Sequence, residues 1–341
     1  MNRILNGVRQ FVDLYIVAIL ATVVLASLLP ARGDGAVFFD YATDVAIALL
    51  FFLYGARLST EAVVEGVRHW RLHLVVFLST FALFPLLGLA SQLLVPGILT
   101  KQLALGVMFT CALPSTVQSS IAFTSIARGN VAAAIVSASF SNLIGIFITP
   151  VLVALMLTTD GGGFSPSAVL DIVVQLLLPF LAGQFARRWI GGWLAHNRKV
   201  LGLVDRGSIL LVVYAAFSEG VVNGIWHQLS ATDMVGLLAV NVVLLAIVLV
   251  TTSWGSRKLG FSREDRIAIV FCGSKKSLAS GVPMASVLFP AQTVGLIVLP
   301  LMLFHQIQLM TCAVLARRYA ASAPAPDAAP AASGQPAQAA A

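Results

Sequence analysis

Charge is the scarcest commodity in this sequence. Only 10% of its 341 residues are Asp, Glu, Lys or Arg, and just 14 of those are acidic. Soluble domains carry about 25% charge, so a water-soluble globular fold is excluded. Cysteine is nearly absent too. Cys111, Cys272 and Cys312 all fall in apolar runs, with no Cys-x-x-Cys or His-x-x-x-His spacing. That leaves no disulfide framework and no zinc site. No His-Glu-x-x-His or Gly-x-Ser-x-Gly is present, which removes the usual signatures of hydrolases. Short alternating segments are missing as well, which argues against a transmembrane barrel.

What fills the chain is apolar residue. The hydrophobic share is 59% and the mean hydropathy +0.94, so the expected class is an all-α polytopic membrane protein. Ten spans are predicted: Phe11–Leu29, Ala36–Ala56, Leu72–Val95, Leu103–Ile126, Val131–Leu157, Val169–Trp189, Gly207–Trp226, Met234–Trp254, Arg266–Leu288 and Thr293–Leu315. The first follows Arg3 and Arg9 as a signal peptide does. At 19 residues it is long enough to cross about 30 Å of hydrocarbon and reads as an uncleaved helix. Residues 319–341 are rich in Ala and Pro and are expected to form a disordered tail.

Basic residues then orient the spans. The formal net charge is +7, and the excess reads as topology rather than as a nucleic-acid surface. Of 21 Lys and Arg residues, 17 fall in segments on one side, with both termini. Arg32 and Lys101 fall on the other, and Lys275 and Lys276 lie inside the ninth span. Such a bias marks the cytoplasmic side. Ten spans divide into two sets of five at a roughly constant offset, and an odd number per set makes the second enter from the opposite face. This is the inverted-repeat layout of secondary transporters.

In each set the fourth span is the polar one. The first reads Phe109-Thr-Cys-Ala-Leu-Pro-Ser-Thr-Val-Gln-Ser-Ser-Ile121, and the second Phe271-Cys-Gly-Ser-Lys-Lys-Ser-Leu-Ala-Ser-Gly-Val-Pro-Met-Ala285. Pro114 removes a helix hydrogen bond, while Gly273, Gly281 and Pro283 are expected to loosen the ninth span. Pro114 and Lys275 both lie roughly 15 Å deep at 1.5 Å per residue, near the midplane. Irregular backbone there is tolerated only inside protein or along a cavity. An intramembrane lysine is a functional residue by default. The candidate site is therefore Lys275, Lys276, Ser274 and Ser277 with Pro114, Gln118, Ser119 and Ser120, joined by Ser137, Ser141 and Asn142 of the fifth span. His305 in the tenth span is a candidate proton carrier.

Several of these residues resemble a known family. Ala127-Arg-Gly-Asn-Val131, Phe52-Leu-Tyr-Gly-Ala-Arg-Leu58 and the five-plus-five layout are similar to the bile acid:sodium symporter family. Phe271–Ala285 resembles its divergent bacterial branch, related to the seventh member of human solute carrier family 10. The resemblance covers roughly residues 10–318. It implies a panel of spans 1, 2, 6 and 7 and a core of spans 3–5 and 8–10, with spans 4 and 9 crossed. It implies a bacterial inner-membrane protein in contact with lipid and a small-molecule solute. It also implies sodium ions near Ser119, Ser120 and Asn142, with Thr80 of span 3 beside them. Aligning on Gly273, however, puts Phe271 where sodium-coupled members have glutamate and Lys275 where they have glutamine. An ammonium supplies donors and cannot ligate a cation, which argues against two-sodium coupling. Lys275 is expected to take a bound cation's place. No other cofactor is implied. The expected function is secondary transport of a small organic, anionic solute by alternating access. The alternative is a non-transporting membrane regulator or scaffold of the same fold.

Overall fold

The computed structural model describes residues 14–57, 69–157, 166–224 and 229–322. These residues form helices and connecting turns, with no strand among them. The helices are α1 (Leu14–Leu28), α2 (Asp34–Arg57), α3 (Trp70–Leu78), α4 (Phe84–Ala90), α5 (Lys101–Ala112), α6 (Gln118–Ile126) and α7 (Val131–Leu157). They continue with α8 (Pro166–His196), α9 (Arg198–Val222), α10 (Ala231–Lys258), α11 (Arg263–Gly273), α12 (Leu278–Leu288) and α13 (Ala291–Ala321). A π-helical turn, Ser79–Leu83, joins α3 to α4.

Among the described residues, six stretches are long and apolar enough to cross a membrane: Asp34–Arg57, Trp70–Leu94, Val131–Met156, Lys199–Val222, Ala231–Lys258 and Ala291–Ala321. Their outward residues, such as Phe38, Tyr41, Leu86, Val235 and Val250, are apolar and more than half exposed. Such surfaces need lipid, and the protein is a multi-pass membrane protein.

Chain ends of the helices follow local chemistry. Ser230 and Asp233 form a reciprocal capping box at the start of α10, satisfying two otherwise orphan N–H groups. Thr100 caps α5 and Ser262 caps α11, each side-chain oxygen accepting from the N–H three residues on. Residues 1–13 and 323–341 lie outside the described residues, and with them the first residues of the expected first span. Residues 319–321 of the expected tail are helical, and the tail beyond Ser322 lies outside the described residues. Helix α13 runs through Ala321 because Tyr319 packs its ring on Phe271 and its carbonyl accepts from Arg263 Nη2.

Two of the predicted spans are each split into a pair of helices. The fourth is α5 and α6, separated by Leu113–Val117. Leu113, before Pro114, is extended at φ −73° and ψ 156°, as the proline ring requires of its predecessor. The ninth is α11 and α12, separated by Ser274–Ser277. Here the expectation needs correction. Pro283 lies inside α12 and does not make the break; the chain leaves the helix directly after Gly273. Gly281 serves packing, since a Cβ there would come within 2.5 Å of Leu113 and Leu301 side chains.

Helices α1, α2, α8 and α9 pack on one another, with α2 against α8 the most extensive contact. That crossing is close because glycines face it from both sides. A Cβ on Gly55 would stand 1.9 Å from the Phe180 carbonyl oxygen, and one on Gly183 would stand 1.9 Å from that of Phe52. Small residues admit backbones this near each other. A second group, α3 to α7 and α10 to α13, surrounds the two breaks. The main apolar core, including Leu50, Phe51, Phe109, Phe180, Val213, Val282 and Val298, lies between the groups.

Candidate functional site

A broken helix strands carbonyls that must find other donors. Here the two breaks satisfy each other. In the first, the Pro114 carbonyl accepts from the Ser277 N–H at 2.9 Å, and the Ser115 carbonyl accepts from Asn142 Nδ2 at 2.7 Å. Thr149 Oγ1 donates to the Ala112 carbonyl at 2.9 Å. In the second, Ser120 Oγ donates to the Phe271 carbonyl at 3.1 Å, Ser115 Oγ to that of Cys272 at 2.6 Å, and Ser79 Oγ to that of Gly273 at 2.8 Å. Hydroxyls of span four thus cap carbonyls of span nine, and a span-nine amide caps span four. The crossing is dense as well. A Cβ on Gly145 would stand 2.7 Å from Pro114.

The adjacent lysines are both fully buried and diverge from there. Lys276 Nζ donates to the carbonyls of Thr80 at 2.9 Å, Cys111 at 2.7 Å and Leu113 at 2.6 Å. All three of its protons are used. Two acceptors belong to the C-terminal end of α5, where the helix dipole is negative, and the third to the π turn. The Phe84 ring covers the remaining side, its centre 4.1 Å from Nζ. Lys275 Nζ has no hydrogen-bond partner among the described residues. It lies 4.0 Å from the centre of the Phe123 ring and 5.6 Å from that of Phe271. Of the two amines, it is Lys276 rather than Lys275 that is held by oxygen acceptors.

A cavity of about 720 Å³ lies beside the crossing. Its core-side wall carries Thr116–Ser119, Asn142, Ser277–Ser280 and His305. Tyr54, Arg57, Phe180, Asp205 and Arg206 line the opposite side. Arg57 makes a two-pronged pair with Asp205 at 2.5 and 3.2 Å, and Arg206 lies over the Tyr15 ring at 5.4 Å.

Of the predicted site residues, Gln118, Ser119, Asn142 and Ser277 line the cavity. Pro114, Ser120, Ser141 and Thr80 build the crossing behind it; Ser141 Oγ accepts from the Ser115 N–H at 3.0 Å. Lys275 and Lys276 line no part of the cavity, and Phe123 stands between it and Lys275. Ser274 Oγ donates to the Val270 carbonyl of its own helix and lies against the Cys312 thiol of α13, away from the cavity. Ser137 is drawn away from the crossing by His73, whose Nδ1 lies 2.7 Å from its hydroxyl. Sequence reasoning missed Gln308. Its side chain accepts from the Lys276 N–H and donates to the Lys276 carbonyl, both at 2.9 Å, holding the second break in shape. A glutamine within the apolar tenth span was the available signal.

Known proteins resemble this chain over most of its length. Residues 13–321 match the sequence profile of one transporter family. The chain belongs to the SBF-like CPA transporter family. An uncharacterised Pseudomonas aeruginosa protein is 57% identical over 92% of this chain and 94% of its own length. YfeH of Escherichia coli, whose name gives it a proposed symporter role, is 54% identical over 91% and 93%. The rat sodium/bile acid cotransporter 7 is 30% identical over 92% and 93%. The family consists of transporters, not enzymes, and the intramembrane polar residues are to be read in those terms.

Proposed function

We propose that this protein is a secondary transporter of a small organic anion that works by alternating access without sodium. One observation carries the reading: the cavity collects the N-terminal turns of both half-helices, α6 from Gln118 and α12 from Leu278, opposite Arg57 and Arg206. Helix N-termini carry partial positive charge and favour anions. The apolar wall, with Phe51, Leu143, Ile146, Phe180 and Met284, suits an organic body behind the charged group.

Ten spans in two inverted sets of five, with both termini in the cytoplasm of an inner-membrane protein, are the topology that goes with it. Helices α1, α2, α8 and α9 are the panel, and the rest form the core that moves against it. Arg57 and Arg206 both belong to segments that the basic-residue bias puts inside, so the cavity is the inward-facing site.

Sodium does not fit the residues present. Ser119 Oγ is paired with Thr116 Oγ1 at 2.7 Å, Ser120 Oγ is committed to the Phe271 carbonyl, and Asn142 Oδ1 accepts from Ser280 Oγ at 2.7 Å. Two amines stand at the crossing where a cation would need oxygen ligands. Uptake into proteoliposomes, screened over organic anions with sodium or choline gradients, tests this. Equal uptake is expected under both, and strong stimulation by sodium would overturn it.

A further inference from the structure

We infer that the Lys276 ammonium is a covalently tethered monovalent cation, and that the protein carries beneath it a latent site for free ammonium or potassium. The three acceptors are all backbone carbonyls: Thr80, Cys111 and Leu113, at 2.6–2.9 Å from Nζ. None of its partners is a carboxylate, so this is not an ion pair. It is a cage of peptide dipoles of the kind that replaces the hydration shell of a monovalent cation. Two of its dipoles sit at the negative end of α5 and one in a π turn, so the cage draws on two separate parts of the chain. Removal of the positive charge leaves three inward carbonyls with no donors in a closed apolar setting, with Phe84 on the fourth side.

The side chain reaches the cage because Gln308 holds the Lys276 peptide from both its N–H and its carbonyl. The amine therefore ties three elements together: the end of α5, the π turn and the break before α12. A free ion could leave during each cycle, whereas a tethered one stays. Every conformation of the crossing that keeps these contacts keeps its cation, and no ion gradient is drawn on at this position. This last consequence rests on the sodium-free transport reading; the cage itself does not.

The test uses purified full-length protein in detergent, read by thermal unfolding. Lys276→Ala should unfold at a clearly lower temperature than the parent in choline chloride. Ammonium or potassium chloride at matched ionic strength should recover most of that loss, saturably, while leaving the parent unchanged. Lys276→Met fills the cage with an apolar chain and should lose stability without recovery by any cation. Recovery in Lys276→Met, or no cation surpassing choline in Lys276→Ala, would overturn the assignment. If Lys276→Ala yields folded protein only when membranes are extracted in ammonium or potassium, the assignment is supported; failure in every cation overturns it. Unfolding needs no solute, so a parent protein that transports no anion would refute the transport reading and leave the cage intact.

Discussion

The two neighbouring lysines should respond to the same substitution with opposite signs. Methionine matches the lysine stem and lacks the amine. At position 276 it removes three charge-assisted hydrogen bonds and leaves the Thr80, Cys111 and Leu113 carbonyls bare. Each buried carbonyl left without a donor costs about 1–3 kcal/mol, so the loss should be clearly measurable. At position 275 the amine has no hydrogen-bond partner among the described residues, and in either charge state that is unfavourable. The Phe123 and Phe271 rings at 4.0 and 5.6 Å return about 2 kcal/mol when desolvated. Burial costs several kcal/mol per ion, so Lys275→Met is expected to stabilise the protein by roughly 1–2 kcal/mol. Five tryptophans give a fluorescence signal for thermal or denaturant unfolding in detergent. Solute uptake by the same preparation should be lost in Lys275→Met despite its higher stability, since an unfavourable amine persists only where function uses it. Two results would refute the reasoning: Lys275→Met as destabilised as Lys276→Met, or Lys275→Met more stable and fully active.

Gly183→Ala should destabilise by about 1–3 kcal/mol, the usual cost of overpacking, because its Cβ meets the Phe52 carbonyl. Gly55→Ala should do the same through Phe180, and the double variant should cost less than the sum because one displacement of α2 from α8 relieves both; additive losses in unfolding would count against this. Asn142→Asp keeps the acceptor for Ser280 but loses the donor to the Ser115 carbonyl, while adding negative charge to the cavity. Uptake should fall about tenfold or more, equivalent to one hydrogen bond, and unchanged uptake would exclude Asn142 from the site. Arg206→Ala, which leaves the Arg57–Asp205 pair in place, should raise KM for the anion and flatten the dependence of uptake on salt.

The helices were legible because membrane burial writes itself into long apolar runs. Val131–Leu157 was read with the bounds that the structure shows, and Pro114 announced the first break through a fixed local rule. The second break is located by the sequence but attributed to too many residues. Gly273, Gly281 and Pro283 are the visible cues, and only Gly273 stands at the break; the chain leaves the helix at Ser274, where the further causes are tertiary: a carbonyl cage for Lys276 and a glutamine from another span. No periodicity encodes such partners. The same limit explains why Lys275 was favoured over Lys276. Adjacent residues point about 100° apart on a helix, so sequence alone said that one of the pair faces a given site, but not which. Ser137 shows the converse: its spacing matched Ser141, yet His73 claims it.

The hydrogen-bond pattern constrains how any transport motion proceeds. Ser115 bridges the breaks twice over, with its hydroxyl on the Cys272 carbonyl and its own carbonyl on Asn142, which in turn holds Ser280. Ser120, Ser277 and Lys276 add further links between span four and span nine. Sliding one break past the other would strand at least the carbonyls of Phe271, Cys272, Leu113 and Pro114 in an apolar interior. Each unsatisfied group costs about 1–3 kcal/mol, and four together exceed what a solute gradient readily supplies in one step. The contacts across the cavity are far fewer: Tyr54 reaches the Ala279 carbonyl only at 3.4 Å. Motion should therefore divide there, the two breaks travelling as one body past α2 and α9. Disulfide cross-linking gives the check. A cysteine placed at Ser120, whose hydroxyl lies against the native Cys272 thiol, should lock to it without loss of uptake, whereas a link between cysteines at the Tyr54 and Ala279 positions should abolish it; transport that survives the second link would place the moving boundary elsewhere.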